Sequence, residues 1–383
     1  MTKIFVVRHA EADGNIYRRV HGHYDGYVTP NGYRQIDALR ARFSDVLVDA
    51  VYSSDLFRTS KTAEAIYGGK DIPYTRCPEF REINLGVWED LTWGELMQSY
   101  PEAYDAWTYH PQDFKIEKSE SYAEVYARFK KKLDEVVLEN PDKTIAVVSH
   151  GSAIRSLLCG LSFDGDMNHL MDIKWCDNTA VACIEADANL NYKIIYQNDN
   201  SHLKELSTLN RQKWWREGDR QSLYNLWFSP ASFPEDTQKA CDYHREAWFT
   251  IFGSDGFSPL CARLHVENLY SSCEGAIAFG YREDEEIGAI MLDGKARLLP
   301  DGGHISLLYL NENVRSQGFG IQFLGYAVSV YRALGRKFIT IRVAEHNEHA
   351  IAFYKKYGFE EFDRESDGES TQILMKMPIY YEL

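Results

Sequence analysis

An Arg-His pair closes the first apolar run of the chain, Ile4-Phe5-Val6-Val7-Arg8-His9, and a second histidine closes a similar run, Thr144-Ile145-Ala146-Val147-Val148-Ser149-His150. A third short run, Val51-Tyr52-Ser53, leads into Arg58. Two arginines and two histidines gathered on one edge have an obvious partner in a phosphoryl dianion. Guanidinium forks match its oxygens in pairs, and a neutral imidazole can attack phosphorus in line. Charge developing on the transferred group needs fixed cations. Glu82, in Phe80-Arg81-Glu82-Ile83-Asn84-Leu85-Gly86-Val87-Trp88-Glu89, adds a carboxyl group. It reads either as part of a solvated strand edge or as an acid held against apolar surface, where a raised pKa would let it donate a proton near neutrality. Arg58 has a plainer reading too, as a surface ion pair.

The elements that would position these groups are legible. Continuous apolar runs fit strands buried on both faces, which belong to parallel sheets, and ligands of open α/β sheets bind beyond the carboxyl ends of such strands. Thr29-Pro30 reads as an N-cap followed by a first-turn proline, and Asp55-Leu56-Phe57-Arg58-Thr59 opens a helix ending near Gly68-Gly69. Ser121-Tyr122-Ala123-Glu124 is a capping box, followed by Val125, Phe129, Leu133, Val136 and Val137 at helical spacing. Residues 178–184 and 192–196 read as a closing hairpin. The loop from Glu11 to Tyr27, rich in Gly, Asp, Asn and His, suits a wrap around an anion. Its His21-Gly22-His23 could be taken for a metal pair, but that spacing turns both rings the same way only if the loop is extended, and no metal site is expected.

With 383 residues the chain exceeds one ordinary core, so two domains are expected. A formal charge of −15 argues against a general nucleic-acid or anionic-membrane binder. The absence of a long apolar stretch leads to an expectation of a cytoplasmic protein, and seven cysteines without a C-x-x-C pair suit reduced thiols.

Taken together, Arg8-His9-Ala10-Glu11, Asn15, Ser53-Ser54-Asp55-Leu56-Phe57-Arg58-Thr59, Glu82 with Gly86-Val87-Trp88-Glu89, and Ser149-His150-Gly151 resemble the histidine phosphatase (phosphoglycerate mutase-like) superfamily. The resemblance implies an α/β/α domain with a mainly parallel sheet over residues 1–205. It also implies a phosphohistidine on His9, a clamp of Arg8, Arg58 and His150 on the phosphoryl group, and proton transfer by Glu82. Asn15, Gly22 and Gly151 would line the pocket, and no cofactor is implied. The pattern departs from the family's commonest form at Ala10, usually Gly, and at Ala12, often Thr. A mutase shares this pocket chemistry and is the nearest rival; the compact stretch between Arg58 and His150 leans toward a phosphatase.

Beyond a packed connector expected at residues 206–221, with Trp214-Trp215, residues 275–281 and 286–292 read as a hairpin and 304–310 as a strand. Arg315-Ser316-Gln317-Gly318-Phe319-Gly320 then opens a helix through Leu324, Ala327, Val328 and Tyr331. Strand, glycine-rich turn and helix make an anion cradle, although glycines there also serve packing. A strand at 338–343, Asn347 and a short helix with Phe353-Tyr354 follow.

These features resemble the GNAT-type N-acetyltransferases over residues 222–383, which implies an α+β domain with a mixed sheet and transfer of acetyl from acetyl-CoA to an amine. The resemblance implies that the backbone of Leu308 and Leu310 meets the pantetheine arm, that Arg315, Gln317, Gly318 and Gly320, with Asn347, form the cofactor-binding set, and that Tyr354 protonates the departing thiolate. Glu312, Glu345 and His346 are the candidates for a general base, and a water chain would serve as well. A helical Tyr at position 354 could instead be core. The combined expectation is a bifunctional enzyme acting on small phosphomonoester and amine substrates. The rival is an acetyl-CoA-sensing rear half that regulates the front.

Overall fold

A computed structural model of the chain describes residues 1–211, 224–253, 256–295, 298–366 and 371–380. The chain divides into two compact units, the first drawn from residues up to 221 and the second mainly from 222 onward. The paired tryptophans expected in a connector lie outside the described residues.

The first unit is a six-stranded sheet in the order β3-β2-β4-β1-β5-β6. Its strands are β1 (Thr2–Arg8), β2 (Ala50–Ser53), β3 (Tyr74–Arg76), β4 (Thr144–Ser149), β5 (Val181–Ala186) and β6 (Tyr192–Asp199). β1, β2, β3 and β4 run parallel, while β5 pairs antiparallel with both β1 and β6. Ile4, Val7 and the whole of 145–148 are fully buried, as continuous apolar runs in a covered sheet require. The helices used below are α1 (Pro30–Arg42), α2 (Phe57–Tyr67), α3 (Tyr122–Glu139) and α4 (Gly151–Ser162). Thr29 caps α1 through the N–H of Gly32, and Ser121 with Glu124 closes the capping box of α3. β1 and β4 are side by side in register, with Arg8 opposite Ser149, so His9 and His150 leave the same edge of the sheet. Gln35 on α1 holds the Leu206 carbonyl and the Thr208 hydroxyl, and Thr208 also donates to Glu11, so the segment at 206–208 packs onto this unit.

The second unit is a seven-stranded mixed sheet in the order β12-β13-β11-β10-β9-β8-β7. These strands are β7 (Leu226–Pro230), β8 (Ile277–Arg282), β9 (Glu285–Asp293), β10 (Gly302–Leu310), β11 (Phe338–Ala344), β12 (Glu360–Ser366) and β13 (Thr371–Pro378). Helices α5 (Thr237–Phe252) and α6 (Pro259–Tyr270) pack on one face, sharing a core of Ala240, Val266 and Leu269 with Leu307. Helices α7 (Gly320–Ala333) and α8 (Glu348–Lys356) contribute to a different core, where Phe323, Leu324 and Tyr354 meet Ile305. The parallel pairing of β10 with β11 stops at Ile305 opposite Ile341, although β10 runs on to Leu310 and β11 to Ala344. The two strands therefore splay. No helix among the described residues is long and apolar enough to cross a membrane.

Candidate active sites

In the first unit, His9 is 5 % exposed and His150 is fully buried, with ring centroids 5.2 Å apart. His9 Nδ1 lies 2.7 Å from the Ala10 carbonyl. A carbonyl only accepts, so Nδ1 carries the hydrogen and Nε2 of the neutral ring carries the lone pair. Burial, and then the positive charges of Arg58 and Arg8, push the His9 pKa well below 6.5. The ring is thus held in its nucleophilic form. Ala10 donates its N–H to the Thr62 hydroxyl and Ala12 donates to Asn15, so the segment after His9 is pinned without a hydroxyl at position 12.

His150 Nε2 meets the Ser54 hydroxyl at 2.8 Å, Ser54 meets Thr59 at 2.8 Å, and Thr59 donates to the Leu56 carbonyl at 2.8 Å. Because the last acceptor is a carbonyl, a continuous donor chain runs from His150 through Ser54 and Thr59. His150 Nδ1 then remains a buried acceptor nitrogen without a partner among the described residues. Its pKa is also pushed well below the ordinary value, first by burial and then by Arg58 and His9.

Arg8 donates NH1 to the Cys176 carbonyl, and Arg58 is held by the carbonyls of Gly22 and Tyr24 and by Asp25. The Nε of each is buried and has no partner among the described residues. Two guanidinium N–H donors left in this state fit an anion as the missing partner, while Nδ1 of the neutral His150 ring is an acceptor. Gly151 allows the close approach on one side: a Cβ there would sit 3.4 Å from Arg8 Nε. Gly22 acts differently from the lining role expected of it, since its carbonyl holds Arg58 while its N–H donates to Glu89.

Glu82 corrects one expectation. Its carboxylate is met by backbone amides instead of an apolar wall: Oε1 accepts from Ile83 and Ala153 at 3.0 and 2.8 Å, and Oε2 from Ser152 at 3.0 Å. Ser152 and Ala153 belong to the first turn of α4, so Glu82 caps the helix that begins at His150. The expectation failed because the sequence neighbours of Glu82 are apolar, whereas its spatial neighbours come from a distant helix terminus.

Asn178 is a residue that sequence reading missed. Its side-chain amide donates to the His9 carbonyl at 3.0 Å and approaches Asn15 Oδ1 at 3.4 Å, which ties the backbone of His9 to Asn15. Only the chain reversal before β5 signals it. His21 lies 3.7 Å from Asp13 and His23 donates to the Glu82 carbonyl at 3.0 Å, so the two rings face different groups. Among the described residues, no group of three His, Cys, Asp or Glu is arranged to hold a metal ion.

In the second unit, Gly318 has φ +95° with open space where a Cβ would stand, and Phe319 caps α7 without a side-chain bond. A helix N-terminus without a side-chain cap fits a phosphate-bearing ligand such as acetyl-CoA. Arg315 is turned away toward β10, donating Nε to the Leu310 carbonyl at 2.9 Å and stacking over Tyr309. Gln317 donates to the Asn313 carbonyl, and Asn347 caps α8 by accepting from Ala350. Gly320 sits against Phe353, 3.1 Å from where its Cβ would be. Leu308 and Leu310 pack toward the core that contains Tyr354. Tyr354 is 5 % exposed, its hydroxyl has no hydrogen-bond partner among the described residues, and burial raises its pKa.

Residues 4–199 match the family model of the histidine phosphatase superfamily (branch 1), and residues 234–359 match that of the acetyltransferase (GNAT) family. The chain is 32 % identical over 205 residues to phosphoserine phosphatase 1 of Hydrogenobacter thermophilus, covering 54 % of this chain and 96 % of that one. It is 34 % identical over 160 residues to phosphoglycerate mutase-like protein 4 of Arabidopsis thaliana, covering 40 % of this chain and 69 % of that one. The solved structure of Bacillus stearothermophilus YhfR superposes with a TM-score of 0.51 at 29 % identity, over 53 % of this chain and all of that one. Both matched families are enzyme families, of phosphatases and N-acetyltransferases. The chain belongs to the histidine phosphatase superfamily and joins that domain, in one polypeptide, to a domain of the GNAT acetyltransferase family.

Proposed function

We propose that the first unit hydrolyses a small phosphomonoester of the phosphoserine type through a phosphohistidine on His9. The observation that carries this reading is the bare Nε2 of His9, set by the Nδ1 bond to Ala10, beside the buried Nε donors of Arg8 and Arg58, which lack partners among the described residues. His9 Nε2 attacks phosphorus while the arginines hold the phosphoryl oxygens and His150 Nδ1 accepts from a protonated one. Glu82 moves the proton, first to the leaving oxygen and then from the attacking water. Its Oε1 already accepts two bonds and Oε2 one, which makes Oε2 the oxygen with room to carry that proton. The relationship to a phosphoserine phosphatase over almost that protein's full length supports the substrate class.

The second unit, in the same reading, transfers acetyl to an amine. Acetyl-CoA, when bound, supplies the activated acyl group. The backbone of 318–321 would hold its phosphates, the open edge of β10 its arm, and Tyr354 would give a proton to the thiolate. Phosphate release from O-phosphoserine and from 3-phosphoglycerate, together with calorimetric titration of acetyl-CoA into the full chain, tests both halves. Release from the former that is abolished in His9→Ala, alongside saturable acetyl-CoA binding, is the expected result. Release unchanged in His9→Ala would overturn the first half, and absence of acetyl-CoA binding the second.

A further inference from the structure

The general base of the second unit was expected from Glu312, Glu345 or His346, all of which stand near strand ends. The packing directs attention elsewhere. Ile305 and Leu307 are two apart on β10 and in a regular strand would share a face. Instead Ile305 belongs to the core of α7 and α8, and Leu307 to the core of α5 and α6. The pairing with β9 slips between the same two residues, which makes Ser306 the extra residue of a β-bulge. Ser306 is also the first residue of β10 beyond its last pair with β11. Bulge and splay therefore coincide at one position.

Ser306 is not alone there. Its hydroxyl meets His265 Nε2 on α6 at 3.0 Å, and the ring of His244 on α5 stands 5.2 Å from that of His265, centroid to centroid. His244 Nδ1 is buried and unpartnered. Two imidazoles side by side on the α5–α6 face, one tied to a hydroxyl where the sheet opens, are not explained by packing alone. A thioester lying along the open edge of β10, where Leu308 and Leu310 face α7 and α8, would leave the α5–α6 face for an incoming amine.

We propose that Ser306 and His265 are the proton relay of amine acetylation, with His244 as a positioning residue whose ring packs beside that of His265; this rests on the acetyltransferase reading above. In the step, the amine nitrogen gives a proton to Ser306 Oγ, which passes its own to His265 Nε2. The C–N bond forms at the acyl carbon, the C–S bond breaks, and the thiolate takes a proton from the Tyr354 hydroxyl. His265 returns its proton to Tyr354 through solvent, so the reaction is proton-neutral overall. Burial lowers the pKa of both imidazoles, His265 adds to the lowering of His244, and Asp293 opposes the shift of His265.

The test uses the full chain, its His265→Gln and Ser306→Ala variants, and a panel of primary amines with hydroxylamine as an acceptor of low basicity. Acetyl-CoA binding by calorimetry and the pH profile of kcat/KM are read together. Expected is unchanged acetyl-CoA binding in both variants and loss of about 100-fold or more in kcat for the amines that wild type acetylates. The acidic limb of the profile should disappear and the defect should shrink with hydroxylamine. Wild-type turnover and pH profile in His265→Gln, with binding intact, would overturn the relay and leave the acetyltransferase reading standing. Absence of acetyl-CoA binding by wild type would overturn both.

Discussion

The imidazole of His150 and the hydroxyl of Ser54 stand 2.8 Å apart in an interior where both residues are fully buried. That bond fixes the ring of His150 and, through Thr59, ends on a carbonyl, so the relay has a defined direction. Ser54→Ala removes its centre and should lower phosphate release by roughly tenfold to a hundredfold, as a misoriented ring loses alignment with the phosphoryl group. Thr59→Ser retains the hydroxyl and should keep most of the activity. Equal activity in wild type and Ser54→Ala would show that His150 is held by packing alone.

The pH dependence of phosphate release follows from His9. Its pKa lies well below 6.5 because of burial and the two arginines, and the attacking form is the neutral ring. Protonation therefore removes the nucleophile only at a pH well below 6.5. Stopped assays of kcat/KM between pH 5 and 8, the range over which an unperturbed imidazole titrates, should show no loss centred on 6.5. A half-loss at 6.5 would mean that His9 is solvated and unassisted.

Stability should respond to acid through His304 on β10. Its Nδ1 lies 3.1 Å from the Thr340 hydroxyl, and its folded-state pKa is lowered from 6.5 to about 4, mainly by burial. Between those values the unfolded chain binds a proton that the native chain refuses. Stability is therefore untouched above pH 6.5 and falls as pH drops through the window, by about 1.4 kcal/mol per pH unit and roughly 3 kcal/mol in all. Denaturant titrations at pH 7 and pH 5 should show a smaller acid loss in His304→Gln than in wild type. Identical losses would contradict the assignment.

Gly22 is the backbone position least able to accept a side chain in the first unit's loop. A Cβ there would lie 2.3 Å from Glu89 Oε1 and 2.4 Å from the Ile83 carbonyl oxygen. Glu89 is held by the N–H groups of Gly22, His23, Tyr24 and Leu85, and the Ile83 carbonyl belongs to backbone. Gly22→Ala should destabilise by about 1–3 kcal/mol. It should also reduce phosphate release, since the Gly22 carbonyl holds Arg58. A thermal midpoint and kcat equal to wild type would show that the loop yields freely.

Local signals carried much of the fold. The apolar runs of β1 and β4, the Thr29 and Ser121 caps and the 275–292 hairpin all obey rules that act within a few residues of sequence. The grouping of His9, Arg58 and His150 could be anticipated because each follows a strand of one parallel sheet. Strands β7, β12 and β13 and helix α6 were not anticipated, their apolar positions being fixed by tertiary partners. The amide setting of Glu82, the tie from Asn178 to His9 and the meeting of His265 with Ser306 depend on contacts between distant segments. No spacing within the chain announces them. His265 on an amphipathic helix reads from sequence as an ordinary surface residue.

The central claim is that His9 is the nucleophile. Its most direct test is to mix the full chain with O-phosphoserine, quench at high pH within the turnover time, and map covalent phosphate by peptide mass spectrometry. An acid-labile, base-stable phosphoryl group is expected on the peptide containing His9, absent from His9→Ala, which should also release no phosphate. Phosphate release by His9→Ala at the wild-type rate, or turnover with the adduct on another residue, would contradict it.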